Sequence, residues 1–289
     1  MNYIVVDFEW NQPRFEQKPI REPFYFDSEI IEFGAVKLDE NFKPISEFRK
    51  FVRQVFYPTM NGKVARLTRI STSDVVGARD FVDVFDDFCN WCGDEYALMT
   101  WGPTDVPVLM ENMIMHGLPV DQMPVCYDLQ RIFTREVMRM DGQCSLENAV
   151  AALNLTADRA HDALNDARNT ARICGFLDLD EYMEEYRTCY VDYEQAEVDH
   201  AIHDNEERTQ LGTFTCPYCG EQVSPHDPWV FGHSASACAT CSDGEEFLVS
   251  LYHSRIDDTH YIYKRIVIEM NDDIWDFYAN KCDLAGQAV

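Results

Sequence analysis

The chain has 289 residues, of which 46% are hydrophobic and 13% aromatic, and its formal net charge at pH 7 is −27. This length and composition fit a medium-sized globular domain with a smaller appendage, and they exclude a fibrous or disordered chain. The charge argues against nonspecific adhesion to polyanions, which usually draws on a basic surface. Most of the excess lies towards the C-terminus: residues 1–175 hold 18 Lys and Arg against 27 Asp and Glu, and residues 176–289 hold 6 against 24.

The first residues run directly into the apolar segment 4–6, without the basic region and cleavage site of a signal peptide. No apolar segment reaches the length that spans a membrane. We therefore expect a cytoplasmic protein without membrane contact. In that compartment the 11 cysteines favour metal binding or burial over disulfides.

In chain order, apolar and β-branched runs predict a meander of three strands at residues 3–8, 30–38 and 48–56. Helical spacing begins at Phe81, and a short strand follows at 97–100. Further helical patterns lie at 106–115, 129–137, 146–153 and 163–177. Strands followed by alternating helices and strands predict an α/β fold with a mixed sheet flanked by helices.

The second half of the chain changes character at residue 178. Between residues 178 and 207, twelve acids accompany the single cation Arg187, and tyrosines recur at helical spacing. We predict an acidic helical linker at 179–210 between a first domain at 1–178 and a second at 211–289. The second domain should contain two strands, at 247–253 and 261–270, and a terminal helix near 272–280.

Acidic residues at the end of the first strand indicate the first candidate site. Because strand side chains alternate, Asp7 and Glu9 project from one face and Phe8 from the other. Such a pair is more often a solvated turn than a metal site. Here it follows a buried-looking strand, and open α/β sheets commonly bind ligands at the carboxyl ends of their strands.

Two later segments supply matching residue types. Asp105 begins a predicted helix after a short strand, where it would also complement the helix dipole. His161 and Asp166 are five positions apart, about 140° around a continuous helix, which would separate them. If Asp162 caps the helix instead, His161 lies on the loop before it and Asp166 one turn inside, so both can face one cleft.

In these residues the sequence resembles the DEDDh exonucleases of the ribonuclease H-like fold. Asp7 and Glu9 correspond to the first motif, Asp105 to the second, and His161 with Asp166 to the third. The similarity covers about residues 1–178 and is greatest to the histone-mRNA and small-RNA exoribonucleases and their sporulation-inhibitor-like relatives. It implies a 3′→5′ exonuclease that acts on a nucleic acid 3′ end, with RNA favoured over DNA, and that releases nucleoside 5′-monophosphates.

The resemblance also assigns roles. The four acids would bind two Mg²⁺ or Mn²⁺ ions, hard cations that prefer carboxylate oxygens, with Asp7 bridging the pair. His161 would act as the general base, since a histidine side chain is commonly neutral near physiological pH. Phe8, Leu67 and Thr68 would contact the substrate.

Cysteine spacing predicts a second metal. The four residues Cys216, Cys219, Cys238 and Cys241 follow the C-x2-C-x18-C-x2-C spacing typical of one structural Zn²⁺ in a zinc-ribbon-like domain. His226 and His233 in between are interpreted as surface residues. A further pair, Cys89 and Cys92, lies on a helical apolar stripe and is predicted to be core.

Two other functions remain open at this point. The acidic C-terminal half favours a regulatory protein that docks a protein partner on an exonuclease-like body. Against this stands the retention of four mutually repelling acids. Another ribonuclease H-like nuclease or a transposase would lack the sequence context around His161 and Asp166.

Overall fold

The computed structural model describes residues 1–20, 24–120, 123–140, 142–232 and 234–287. The chain forms two compact units, the first made of Met1–Pro119 and Pro124–Glu184 and the second mainly of Glu185–Val289. Within the described ranges, no helix is long and apolar enough to cross a membrane.

The first unit contains five strands, eight α-helices and a π-helix in its described part. The strands are β1 (Asn2–Asn11), β2 (Glu29–Leu38), β3 (Pro44–Phe51), β4 (Tyr96–Thr100) and β5 (Cys126–Asp128). The α-helices are α1 (Gly62–Thr68), α2 (Thr72–Val75), α3 (Phe81–Cys92), α4 (Asp105–Met115), α5 (Leu129–Ile132), α6 (Leu146–Ala152), α7 (Ala163–Cys174) and α8 (Leu179–Tyr182). The π-helix, Phe133–Val137, continues α5.

These strands form a mixed sheet in the order β3-β2-β1-β4-β5. The strands β1, β2 and β3 pair antiparallel as a meander, whereas β4 is parallel to β1 and β5 is parallel to β4. The predicted α/β fold with a mixed sheet and flanking helices is confirmed. Because β1 and β4 run in the same direction, their carboxyl ends meet at one edge of the sheet.

The strand predicted at 48–56 ends earlier, at Phe51. The main-chain N–H groups of Val55, Phe56 and Tyr57 all donate to the carboxylate of Glu29 at 2.6–2.9 Å. A buried carboxylate therefore replaces a neighbouring strand as the hydrogen-bond partner of this segment, a contact that local sequence does not reveal.

Aromatic packing joins α3 to the sheet. The Phe88 ring lies 5.5 Å from both Phe33 on β2 and Phe48 on β3. Cys92 is buried and Cys89 partly buried on the same helix. The two cysteines belong to this core, as the apolar stripe predicted.

The second unit is built on antiparallel strands. Its strands are β6 (Arg187–Thr188), β7 (Tyr190–Val198), β8 (Phe214–Thr215), β9 (Gln222–Val223), β10 (His226–Phe231), β11 (Ala235–Thr240), β12 (Glu246–Arg255) and β13 (Tyr261–Glu269), and its helices are α9 (Asn205–Gly212) and α10 (Asp272–Gln287). Five strands form a sheet in the order β10-β11-β12-β13-β7, and β8 pairs with β9 as a small hairpin. The predicted strands at 247–253 and 261–270 correspond to β12 and β13, and the predicted terminal helix to α10.

The prediction of a helical linker at 179–210 is wrong over β7. This strand pairs antiparallel with β13, for example Tyr193 with Ile266 and Gln195 with Lys264. The tyrosines that suggested a helix are also strand-forming residues, and pairing with a strand some 70 positions later decided the outcome. Only α8 and α9 are helical in this range.

Candidate active site

The strand β1 carries the first two acids to the edge of the sheet. Asp7 and Glu9 share one face of β1, and Phe8 between them packs edge-on against Phe33 with ring centroids 4.8 Å apart. Because the side chain of Phe8 is held in the core, both carboxylates are fixed on the opposite face.

The third acid comes from the neighbouring parallel strand. The chain leaves β4 and enters α4, whose first residue is Asp105. The Phe8 N–H donates to Asp105 Oδ1 at 3.1 Å. This hydrogen bond between β1 and the start of α4 holds Asp105, which is only 7% exposed, against the first two acids.

The last two residues lie at the start of α7. Asp162 is its N-cap and accepts a hydrogen bond from the Asn165 N–H at 3.2 Å, so the capping prediction is confirmed. His161 precedes the cap in a left-handed conformation with φ of 59°. Its N–H donates to Asp166 Oδ2 at 2.8 Å, which ties the two residues together across the start of the helix. A non-glycine residue in this conformation is uncommon and marks a site that the fold has fixed.

All five predicted residues line one cleft of about 380 Å³. Its walls are the end of β1, helix α1 and the starts of α4 and α7. The lining residues are Asp7, Phe8, Glu9, Trp10, Gln12, Val64, Leu67, Thr68, Asp105, His161 and Asp166. The structure thus brings together residues that are up to 159 positions apart in sequence, from Asp7 to Asp166.

The carboxylates of this cleft repel one another strongly. Burial raises the pKa of Asp7 well above its usual range, and the charges of Asp105 and Asp166 raise it further. Burial, followed by the charge of Asp166, raises the pKa of Glu9 to about 8. Burial likewise raises the pKa of Asp105 to about 7 and moves that of Asp166 upward. A carboxylate with a raised pKa resists ionisation unless a cation lies nearby.

The chain matches the exonuclease family over residues 4–174, which is more than half of its length. It belongs to the exonuclease family. The match spans every strand and helix that borders the cleft.

Similar proteins agree with this family. The chain is 24% identical over 192 residues to the probable 3′-5′ exonuclease KapD of Bacillus subtilis (strain 168), covering 63% of this chain and 87% of that protein. Its fold is similar to the nuclease domain of 3′hExo, a DEDDh family member bound to rAMP, with a TM-score of 0.53, 24% identity and coverage of 60% and 89% of the two chains. It is also similar to the 3′-exonuclease that recognises the histone mRNA stem-loop, with a TM-score of 0.52, 22% identity and coverage of 60% and 79%. The predicted 3′→5′ exonuclease class and ribonuclease H-like fold are confirmed.

Exonucleases of this family use divalent metal ions, and the cleft of this exonuclease fits them. Ligand atoms of Glu9, His161 and Asp166 lie within 4.8 Å of one another. Within the described parts of the chain, the carboxylates of Asp7 and Glu9 accept no hydrogen bond, so their charge is left for a cation. Hard carboxylate oxygens are the donors that Mg²⁺ and Mn²⁺ prefer.

The three residues predicted to bind substrate reach the cleft in different ways. Leu67 is 54% exposed and offers its side chain. Phe8 is 2% exposed and its N–H donates to Asp105, so it borders the cleft without offering a free side chain. The hydroxyl of Thr68 donates to the Val64 carbonyl at 3.1 Å and accepts from the Ile70 N–H at 3.0 Å, and it is therefore committed to the end of α1.

Sequence reasoning did not include Trp10 among the site residues. By strict alternation Trp10 would point away from the face that carries Glu9. The pairing of β1 with β2 shifts register between Glu9 and Trp10, and Trp10 lines the cleft. The extra residue of this irregularity is Ile31 on β2, and the sequence pattern alone gives no signal for it.

An ion-pair network that sequence reasoning also missed fixes the start of α7. Glu32 lies opposite Glu9 on β2 and accepts from Arg49 Nε at 2.6 Å, and the same Arg49 donates from Nη2 to Asp162 at 2.9 Å. The second partner of Asp162 is Arg159, also at 2.9 Å. The helix cap next to His161 is therefore joined to two strands of the sheet.

A glycine permits the close approach of α7 to the sheet. A Cβ added at Gly34 on β2 would fall inside van der Waals contact with the main chain of Ala163 and Leu164. Gly34 pairs with Asp7 in the sheet register. The absence of a side chain at this one position allows the start of α7 to lie directly over the catalytic strand.

The structure brings together three of the four cysteines that were predicted to bind zinc. Sulfur atoms of Cys216, Cys219 and Cys241 lie within 4.8 Å of one another. Cys238, the fourth predicted ligand, is not grouped with them in this structure. Cys238 lies within β11 and packs with Leu248, Ile274 and other residues of a separate apolar cluster.

Proposed function

We propose that this exonuclease removes single nucleotides from the 3′ end of single-stranded RNA or DNA by a two-metal-ion mechanism. The observation that carries the proposal is the convergence of Asp7, Glu9, Asp105 and Asp166 with His161 in one cleft. We assign the four acids as the residues that would hold two Mg²⁺ or Mn²⁺ ions. When bound, such a pair of cations activates the attacking water and stabilises the departing 3′ oxygen.

His161 is the general base in this proposal. It is exposed at the mouth of the cleft, and its main chain, rather than its ring, forms the hydrogen bond to Asp166. The imidazole therefore stays available to take a proton from water beside Glu9 and Asp166. The network around Asp162 keeps the His161 main chain in place while the ring performs this task.

The wall formed by β1 and α1 supports binding of the terminal nucleotide. Trp10, Val64 and the exposed Leu67 give the cleft an apolar side next to its acidic floor. Aromatic and apolar side chains bind unstacked bases without strong sequence preference. We favour RNA over DNA as the substrate because two of the similar structures hold the histone mRNA stem-loop and rAMP.

We assign catalysis to a domain at 1–178 and a separate metal-binding role to a domain at 211–289. The acidic C-terminal part is a surface for a protein partner of opposite charge, since complementary charges steer association. We place the protein in the cytoplasm, in agreement with 11 cysteines that are all free thiols.

End-specific digestion tests the proposal. RNA and DNA oligonucleotides of one sequence, labelled at the 5′ end, are incubated with Mg²⁺ or Mn²⁺, each with a free or a blocked 3′ hydroxyl. We expect a ladder shortening from the free 3′ end, nucleoside 5′-monophosphates as products, and faster digestion of RNA. Equal digestion of circular, blocked and open substrates would refute the exonuclease mechanism.

A further inference from the structure

Three cysteine thiols meet within the second unit, and their convergence has a local cause. The segment from Cys216 to Gly220 is a tight turn in which the Gly220 N–H donates to the Cys216 carbonyl at 3.0 Å. Gly220 adopts a φ of 75°, which lets the chain reverse after Cys219. The Cys216 N–H then closes the turn on the Glu221 carbonyl at 2.8 Å, and both thiols project to one side.

The second cysteine pair has the same spacing but a different backbone. Cys238 is still within β11, in register with Leu248 of β12. Because side chains alternate along a strand, Cys238 faces the opposite side of the sheet from Ala239, which packs in the same cluster as Cys216 and Cys241. Cys238 is 2% exposed and contacts the α10 cluster that includes Tyr278.

The turn in the second pair begins only at Cys241. The Gly244 N–H donates to the Cys241 carbonyl at 3.0 Å, and the Cys241 N–H donates to the Glu245 carbonyl at 3.0 Å. Cys241 therefore occupies the place in its turn that Cys216 occupies in the first. Moving Cys238 to the other side of the sheet would require breaking the register of β11 with β12.

Other protein ligands do not complete the group. Among the described residues, no histidine, aspartate or glutamate has a ligand atom within 4.8 Å of all three sulfurs. His226 is exposed on β10, and His233 lies outside the described residues. A tetrahedral zinc site with these protein ligands keeps one coordination position for an external ligand.

We propose that Cys216, Cys219 and Cys241 bind one Zn²⁺ as thiolates and that an exchangeable water takes the fourth position. Sulfurs bound tetrahedrally at 2.3 Å from zinc lie about 3.8 Å apart, so the observed group needs little movement to close on the ion. Cys219 is the partly exposed member, and it gives the fourth position access to solvent.

The number of sulfur ligands around the zinc ion, measured on the whole protein, tests the proposal. X-ray absorption of the zinc protein should show three sulfur neighbours and one oxygen or nitrogen. In the Co²⁺-substituted protein, added imidazole should shift the visible absorption spectrum, because the fourth ligand is exchangeable. Four sulfur neighbours, or a spectrum that imidazole leaves unchanged, would overturn the proposal, as would purified protein without zinc.

Variants give a second, independent measurement. Elemental analysis should find about one zinc per chain in the wild-type protein and in Cys238→Ala. Most of the bound zinc should be lost in each of the variants Cys216→Ser, Cys219→Ser and Cys241→Ser. A folded Cys238→Ala protein that has lost its zinc would show that four cysteines bind the ion. If Cys238→Ala does not fold, X-ray absorption of the wild-type protein alone decides whether three or four cysteines bind the ion.

Discussion

At the scale of single residues, Asp7 shows most clearly that repulsion between the acids of the cleft lowers the stability of the metal-free fold. Its half-buried carboxylate lies beside those of Glu9, Asp105 and Asp166, and their mutual repulsion is relieved only by a cation or a proton. Asp7→Asn removes one of these charges with little change of shape. At pH 8 without metal, we expect the variant to melt a few degrees above the wild type, on the order of 1 kcal/mol.

Added Mg²⁺ supplies the control for this prediction. It should raise the melting temperature of the wild-type protein, because a ligand that binds only the folded state stabilises it. The same addition of Mg²⁺ should raise the melting temperature of Asp7→Asn much less. If Asp7→Asn without metal melts at a lower temperature than the wild type without metal, the proposal that Asp7 is a metal ligand under electrostatic strain is contradicted.

The acids also predict how stability depends on pH. The pKa of Glu9 is about 8 in the folded protein, above its ordinary value of 4.5. Between these values the folded state binds more protons than the unfolded state, so the stability of the metal-free protein falls as the pH rises. Denaturant unfolding in a chelator at pH 6 and pH 8 should show this loss, and Glu9→Gln should show a smaller one. An equal pH dependence in both proteins would rule out Glu9 as its source.

The general base can be tested without disturbing the backbone. His161 has a φ of 59°, which asparagine tolerates better than most residues. His161→Asn should therefore keep the fold and metal binding, while kcat falls on the order of 10²-fold or more. Near-normal turnover of this variant at neutral pH would remove His161 from the role of general base.

At the scale of the elements, the position of α7 depends on a residue without a side chain. Gly34→Ala must push the start of α7 away from β2, since the new Cβ meets the main chain of Ala163 and Leu164. We expect a loss of about 1–3 kcal/mol in unfolding free energy and at least a tenfold loss of activity, because His161 and Asp166 move with the helix.

Gly77→Ala is the matched control, since a Cβ there meets nothing within 4 Å. It should leave both activity and stability nearly unchanged. If Gly34→Ala behaves like Gly77→Ala, the close packing of α7 on the sheet does not position the site.

The helices and strands that are determined by the local sequence pattern could be predicted from the sequence. The apolar runs of β1 and β2, the helical stripe of α3 and the Asp162 cap of α7 all follow from neighbouring residues. The strand β7 and the early end of β3 were not, because they depend on β13 and on Glu29, which are distant in sequence. The position of Cys238 within β11 could not be predicted for a similar reason, because C-x2-C spacing does not tell whether the chain turns or stays extended between its cysteines.

The site shows the same division between local and tertiary information. The types of the residues and their order along the sequence were enough to identify the four acids and His161 as candidate site residues. The groups that hold them in place, such as Glu32, Arg49 and Gly34, act through contacts between elements and carry no motif of their own.

At the scale of the whole molecule, the charge of −27 is divided unevenly, and this explains how an acidic protein can act on a polyanion. Residues 176–289 carry 24 acids against 6 cations, whereas several acids of the first part line the cleft. In the proposed mechanism, two bound divalent cations would offset the negative charge of the four carboxylates, so substrate phosphates would no longer meet the repulsion of the metal-free cleft. We therefore expect substrate binding, as well as hydrolysis, to require metal ions.

The central claim is that the acidic cleft requires divalent cations held by Asp7 and its neighbours to hydrolyse nucleic acid. The most direct measurement is the rate of nucleoside 5′-monophosphate release from an RNA oligonucleotide by metal-stripped protein during a stepwise addition of Mg²⁺ or Mn²⁺. We predict no release without metal, restoration of the full rate as metal is added, and no restoration in Asp7→Asn or Asp166→Asn. Full activity of the stripped protein, or equal restoration in these variants, would contradict the account.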